Sequence, residues 1–273
     1  MGKTPLFAAA ILFFACAAYA DFSMRSLGVY VDIAKDGSAN VEERLVLVMN
    51  TTISRDLYEA TRSAYSDIAT WQNRTGLSEM RHHISRAKAE VTGLRVTPQS
   101  IDRCNAILGL CFATVIIDYS VPAGLNGSGL VKVDRYKPRT ALFSLQPGAL
   151  SFEQTKSGDL VLPDGTNITF SIPQNAEKIY FSSPPQNLME EGAVNIRYYK
   201  GWTRQFTWTG NLLPKFQFTY EIESPLEEEV IGFFTDSQKG IMGFLFGPEG
   251  LAAMFIAAAA IVSAYYLNRI SAK

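Results

Sequence analysis

Leu27, Val29, Val31 and Ile33 alternate with Gly28, Tyr30 and Asp32. Val41, Leu45, Leu47 and Met49 continue the alternation beyond Lys35-Asp36-Gly37-Ser38. Apolar residues at a period of two turn one face of a strand toward a core, and an Asp-Gly pair between two such runs predicts a β-hairpin. The period then lengthens. Ile53, Leu57, Ala60, Ala64, Ile68 and Trp71 recur every three or four positions, the stripe of a single helix. Ser54 is its expected cap, and Asp56 lies in the first turn, where the helix dipole favours an acid. Asn73-Arg74-Thr75-Gly76 ends it, and Leu77, Met80, Ile84 and Ala87 predict a second, shorter helix. Strands are expected again at 91–97 and 112–121. Residues 21–123 therefore read as an α+β unit, with two helices on an antiparallel sheet.

Gly124-Leu125-Asn126-Gly127-Ser128-Gly129 reads as a linker or long turn. Beyond it, short strands are expected at 130–137, 140–145, 149–153, 160–162, 166–172, 178–181, 194–199, 203–208 and 216–222. Turn residues such as Pro163-Asp164-Gly165-Thr166 separate them, which predicts a β-sandwich over 124–224. Tyr198, Tyr199, Trp202, Phe206, Trp208, Phe216, Phe218 and Tyr220 crowd into this part. Most are expected in the core; an exposed aromatic strip is the alternative.

The two ends carry continuous apolar runs. Lys3, then Leu6 to Ala18, then Ala18-Tyr19-Ala20 has the order of a secretory signal, which predicts a removed peptide over 1–20. An uncleaved N-terminal anchor is the alternative. Near the other end, Leu251 to Leu267 lacks any charge, and 249–268 is long enough to cross a bilayer as one helix. Arg269 and Lys273 follow it, so the 269–273 tail is expected in the cytoplasm and the rest of the chain outside. Pro225-Leu226-Glu227-Glu228-Glu229 opens a juxtamembrane segment, 225–248, whose Ile241 to Phe246 is expected at the outer interface. The expected whole is a mainly β ectodomain, an α+β unit and then a β-sandwich, plus one C-terminal transmembrane helix. The localisation that follows is a cell membrane, single-pass.

Composition narrows the chemistry. Residues 21–125 carry 11 Lys/Arg against 12 Asp/Glu, and 126–250 carry 11 against 14, so no basic face for nucleic acid is expected. Once the predicted signal is removed, Cys104 and Cys111 remain. A pair in an exported chain favours a disulfide clamping a short loop between two strands; two free buried cysteines are the alternative. Asn50, Asn73, Asn126 and Asn167 each begin an N-x-Ser/Thr sequon, which suits a glycosylated outer surface. In the predicted anchor, Ala253 with Ala257 and Ala260 with Ala264 have the small-x-x-x-small spacing that lets membrane helices approach closely.

No catalytic set emerges. His82 and His83 are adjacent, and on the expected helix they point about 100° apart, as two solvated residues. Glu79 and His83 share a helix face at i, i+4, but no third metal ligand is near. Glu190 and Glu191 read as a solvated loop. No G-x-S-x-G elbow or phosphate loop occurs. No cofactor and no metal are expected.

Leu162-Pro163-Asp164-Gly165-Thr166, Tyr199-Lys200-Gly201-Trp202 with Thr207-Trp208-Thr209-Gly210, and Phe218-Thr219-Tyr220-Glu221-Ile222-Glu223 carry a resemblance. They are similar to stretches in uncharacterised single-span exported proteins of archaea. That resemblance implies a cell-surface setting and no chemistry. The expected function is a non-enzymatic binding or structural module of the envelope. The runner-up is an accessory subunit of a membrane complex for translocation, glycosylation or surface-appendage assembly. An envelope hydrolase is the third reading. The expected partners are the membrane and another envelope or membrane protein.

Overall fold

The computed structural model describes residues 21–105, 107–124, 128–137, 139–190 and 198–225. The predicted signal at 1–20, the juxtamembrane segment beyond Pro225, the anchor at 249–268 with Ala253, Ala257, Ala260 and Ala264, and the tail all lie outside them. Among the described residues no helix is long and apolar enough to cross a membrane.

In chain order the elements are β1 (Phe22–Ile33), β2 (Ala39–Met49), α1 (Thr52–Ala64), α2 (Ile68–Thr75), β3 (Thr92–Pro98), β4 (Arg103–Asn105) and β5 (Leu110–Val121). Then come β6 (Val131–Lys137), β7 (Thr140–Leu145), β8 (Glu153–Gln154), β9 (Leu160–Val161), β10 (Thr166–Ser171) and β11 (Ala176–Phe181). The last are α3 (Gln186–Glu190), β12 (Tyr198–Tyr199), β13 (Gln205–Thr209), β14 (Leu212–Leu213) and β15 (Phe218–Glu223). The protein is mainly β, as its alternation predicts.

Period-two patterning sets the register of the main sheet. Its strand order is β13-β10-β1-β2-β5-β3, with β4 also paired to β5. Val29 lies opposite Glu43, which lies opposite Ile117; one position along, Tyr30, Glu42 and Asp118 align. Odd-numbered residues of β1, β2 and β5 therefore share the buried face from Leu27 onward, and even-numbered ones share the other. The β1–β2 turn closes on Gly37, at φ +89°, where a Cβ would lie 2.8 Å from a Val133 methyl. Both the backbone angle and the space require glycine there.

A second sheet, ordered β12-β11-β15-β7-β6, meets the buried face through aromatic rings. Phe170 and Trp208 of the main sheet lie 5.1 and 5.6 Å from Phe218 and Phe181 of the second. Most of the predicted aromatic run is thus core. Trp202 and Tyr198 are exposed. A small sheet, β14-β9-β8, completes the strands among the described residues.

The main sheet draws β10 and β13 from beyond Gly124, and β1 pairs in parallel with β10. Residues 21–123 and 124–224 therefore share a sheet across the boundary placed at that linker. By compactness the chain divides elsewhere, into Met1–Tyr136 with Ala141–Ile222 and, separately, Lys137–Thr140 with Glu223–Lys273. Within the second unit, Arg139 donates from Nε and Nη2 to the Ser224 carbonyl at 3.0 and 2.9 Å.

Two helical expectations are corrected. The stripe over 53–71 is two helices, because Asp67 Oδ1 accepts the Thr70 N–H at 2.8 Å and starts α2 afresh. Thr51, not Ser54, caps α1: its hydroxyl accepts the Ser54 N–H at 3.0 Å. The helix expected over 77–87 is absent. Ser151 N–H bonds to the His83 carbonyl and Ser85 N–H to the Ala149 carbonyl, both at 2.8 Å, around an antiparallel bridge of Ile84 with Leu150. Met80 and Ile84 are buried as their apolar character requires, but strand-like pairing takes the backbone groups a helix needs.

Candidate functional site

The open face of the main sheet is polar across six strands. One register row runs Thr207, Thr169, Tyr30, Glu42, Asp118 and Arg95. The next runs Gln205, Ser171, Asp32, Asn40, Ser120 and Thr92. These rows line most of a groove of ≈620 Å³, the size of a small-ligand site. The Thr169 and Thr207 hydroxyls pair at 3.0 Å, and Ser120 Oγ donates to Asn40 Oδ1 at 2.9 Å. Tyr30 lies across Gly28, where a Cβ would come within 2.8 Å of the Tyr30 ring. Only glycine leaves room for the ring to lie flat there. The Arg44 guanidinium sits 5.5 Å from the centre of that ring and pairs with Glu42.

Charges in the groove are only partly compensated. Glu42 and Asp118 are direct cross-strand partners, and like charges so placed repel. Partial burial pushes the Asp118 carboxyl above its ordinary value, and Glu42 pushes it further, against the pull of Arg95 and Arg44. The groove offers acceptors, donors, both charge signs and one aromatic face. It presents neither a histidine nor a cysteine. Among the described residues no three His, Cys, Asp or Glu side chains are grouped to hold a metal.

Directly behind this face lies a buried polar cluster. Glu43 occupies an inward position between Val41 and Leu45 and is 0% exposed. Its Oε1 accepts the His83 backbone N–H at 2.6 Å and the Tyr119 hydroxyl, and its Oε2 faces His83 Nδ1 at 2.7 Å. His83, 1% exposed, stacks on Phe152 with ring centres 4.7 Å apart. Burial, then the negative Glu43, raises the Tyr119 hydroxyl far above its ordinary pKa, so it stays a donor. This replaces the expected pair of solvated histidines. His82 is half-buried, accepts from Arg86 Nε at 2.9 Å, and is held below its ordinary pKa by burial and by Arg86.

Other expected positions fall apart in space. Cys104 and Cys111 are bonded, closing the β4–β5 hairpin. Asn50 and Asn73 are exposed, whereas Asn167 is half-buried in mid-strand between β1 and β13. Asn126, Glu191 and the Glu190 side chain lie outside the described set. The sequence reading missed Glu43, although a carboxylate at a core position of the alternation is its signal. It also missed the groove, whose only signal is polar residues of both signs on the outward positions.

The fold and site together define a β-sheet protein with an open, mixed-charge groove. No family model and no curated protein matches the chain. One solved structure to which it is similar is the Fcho1 Mu homology domain of Danio rerio with bound Eps15 peptide, at 9% identity over 76% of this chain and 79% of that one, with a TM-score of 0.21. Similarity at that level defines neither a shared fold nor a shared ligand.

Proposed function

We propose that this chain is a membrane-anchored, extracytoplasmic binding module of the cell envelope, and that the open groove of the main sheet is its ligand site. The observation that carries the reading is the alignment of Glu42 against Asp118 within a ≈620 Å³ groove. Folding gains nothing from two facing carboxylates there, whereas a hydrogen-bonding ligand gains fixed acceptors. Asp32, Asn40, Ser171 and Gln205 add short acceptors and donors, and Tyr30 adds a flat face. That set suits a polyhydroxylated ligand such as an envelope glycan. The apolar runs at 1–20 and 249–268 support the setting.

Titration calorimetry of the full chain in detergent against envelope glycan fragments tests the reading. Binding that is lost in Asp32→Ala and Asn40→Ala, with melting temperature kept, supports it. Absence of binding by any polyhydroxylated ligand overturns it.

A second reading, an envelope hydrolase, is favoured by the raised Asp118 carboxyl beside Glu42. A glycan hydrolase needs one protonated and one ionised carboxyl across the scissile bond. Release of reducing ends by the wild type, abolished in Asp118→Asn, would select it. The accessory-subunit reading would replace both if native extraction yielded a stoichiometric membrane partner.

A further inference from the structure

Trp202 is 95% exposed, while the other two tryptophans, Trp71 and Trp208, are 0% and 1% exposed. The loop that presents it is braced by its neighbours. Arg204 Nη1 donates to the carbonyls of Gly201 and Thr203 at 2.7 and 3.0 Å, and its Nε donates to that of Gln174 at 3.1 Å. The Thr203 N–H donates to Tyr199 Oη at 3.1 Å, and Tyr199 packs edge-on against Phe206. None of these braces involves the indole. Trp202 lines a pocket of ≈290 Å³, near the lower end of small-ligand sites. Residues 176–179 of β11 form another of its walls. There β11 leaves register with β15 between Glu177 and Tyr180, and Lys178 takes φ +47°, a left-handed angle that strains a lysine. Bulges of this kind re-aim side chains beside binding sites, and the strain is held by the structure around them.

The surroundings decide what the pocket takes. Lys178, Lys200 and Arg204 of its lining are nearly balanced by Glu177 and by Glu221, whose Oε2 accepts from Lys178 Nζ at 2.7 Å. Arg204 is turned onto backbone carbonyls. The pocket therefore has no strong pull for an ion of either sign. Nor does it resemble the core of a protein interface. Ala176 and Ile179 are buried, which leaves the indole as the exposed apolar face among charged residues, and interface cores are depleted of charge. One flat aromatic face beside side chains of both signs matches a neutral sugar ring. The C–H face of a pyranose packs on an indole, while its hydroxyls donate to carboxylates and accept from ammonium groups. Arg204 lines this pocket and the next residue, Gln205, lines the groove of the main sheet. The two sites meet at the start of β13 and share no lining residue.

We propose that the Trp202 pocket is a second ligand site, which holds one ring of a neutral glycan flat on the indole, with Glu177, Lys178 and Lys200 bonded to its hydroxyls. The site depends on neither the groove nor the anchor.

The test titrates the full chain, in a detergent without a sugar headgroup, with hexasaccharides of glucose, mannose and N-acetylglucosamine. Polygalacturonate oligomers provide the anionic comparison. Trp71 and Trp208 give a constant buried background. Expected with a neutral hexasaccharide are a saturable blue shift of tryptophan emission and several-fold weaker acrylamide quenching. Both should disappear in Trp202→Ala and persist in Asp32→Ala, which alters only the groove. In the Asp32→Ala background, Trp202→Ala should weaken binding by calorimetry about tenfold, and Trp202→Tyr should recover part of the loss. No protection by any neutral hexasaccharide overturns the site, as does protection by the anionic oligomers alone. A shift that follows chain concentration without sugar marks a second copy as the occupant and also overturns it. A shift lost in Asp32→Ala, with melting temperature kept, puts the sugar in the groove and overturns the second site alone. A Trp202 shift that persists while the groove variants change nothing overturns the groove reading alone.

Discussion

Glu43 and His83 are joined twice, through the backbone N–H at 2.6 Å and ring Nδ1 at 2.7 Å, with no water-exposed surface on the carboxylate. The bond to the backbone fixes the path of the 77–87 segment, and the bond to the ring fixes the imidazole against Phe152. Removing the carboxylate orphans His83 N–H, Nδ1 and the Tyr119 hydroxyl together. Glu43→Ala is expected to lose about 3–5 kcal/mol, as for other buried charged networks with one member deleted. Glu43→Gln is expected to lose only about 1 kcal/mol, because the amide oxygen still accepts the His83 N–H and the Tyr119 hydroxyl and a polar group still faces the imidazole. Urea denaturation of both variants checks the ranking.

Asp118 provides the opposite sign. Its folded-state carboxyl is raised, so folding is favoured when it is protonated, and that contribution is lost as pH rises through the folded value. Asp118→Asn is therefore expected to stabilise at pH 7 by about 0.5 kcal/mol, the scale of one cross-strand like-charge pair, with Arg95 and Arg44 limiting the gain. The gain should vanish as pH falls below the ordinary aspartate range. Melting curves at about pH 7 and about pH 2.5 measure both halves.

Asn187 protects an edge. Its Nδ2 donates to the Gln205 carbonyl at 2.9 Å and its Oδ1 accepts the Thr207 N–H at 3.1 Å. The side chain thereby imitates a neighbouring strand on β13, which among the described residues is the outermost strand of the main sheet on that side. Asn187→Ala should lower stability by about 1 kcal/mol and increase concentration-dependent association through the freed edge. Light scattering during storage, compared with wild type, reads the second effect.

The Cys104–Cys111 bridge closes a short hairpin, with a sequence separation of 7. Chain-entropy reasoning gives about 2–3 kcal/mol for such a ring. Replacing both cysteines with alanine should lower the melting temperature accordingly. Hydrogen exchange should rise first along β4 and the Leu110–Ala113 end of β5, leaving the Asp118–Val121 end protected.

The sequence alone was enough for the β1–β2 hairpin, for β5, and for most of the short strands after Gly124. Those depend on local alternation and turn chemistry, which a reader sees within ten residues. It also favoured a Cys104–Cys111 disulfide across one short loop, and the structure added that the two residues are direct cross-strand partners. It left the 77–87 segment as a helix, because Met80, Ile84 and Ala87 keep helical spacing whether or not a helix forms. What overrode that spacing was a carboxylate 40 residues earlier and a strand-like partner near Leu150. The parallel pairing of β1 with β10 and the groove built across it were likewise settled only in three dimensions. Both join residues far apart in the chain, and no local period records which distant strand a sheet edge will accept.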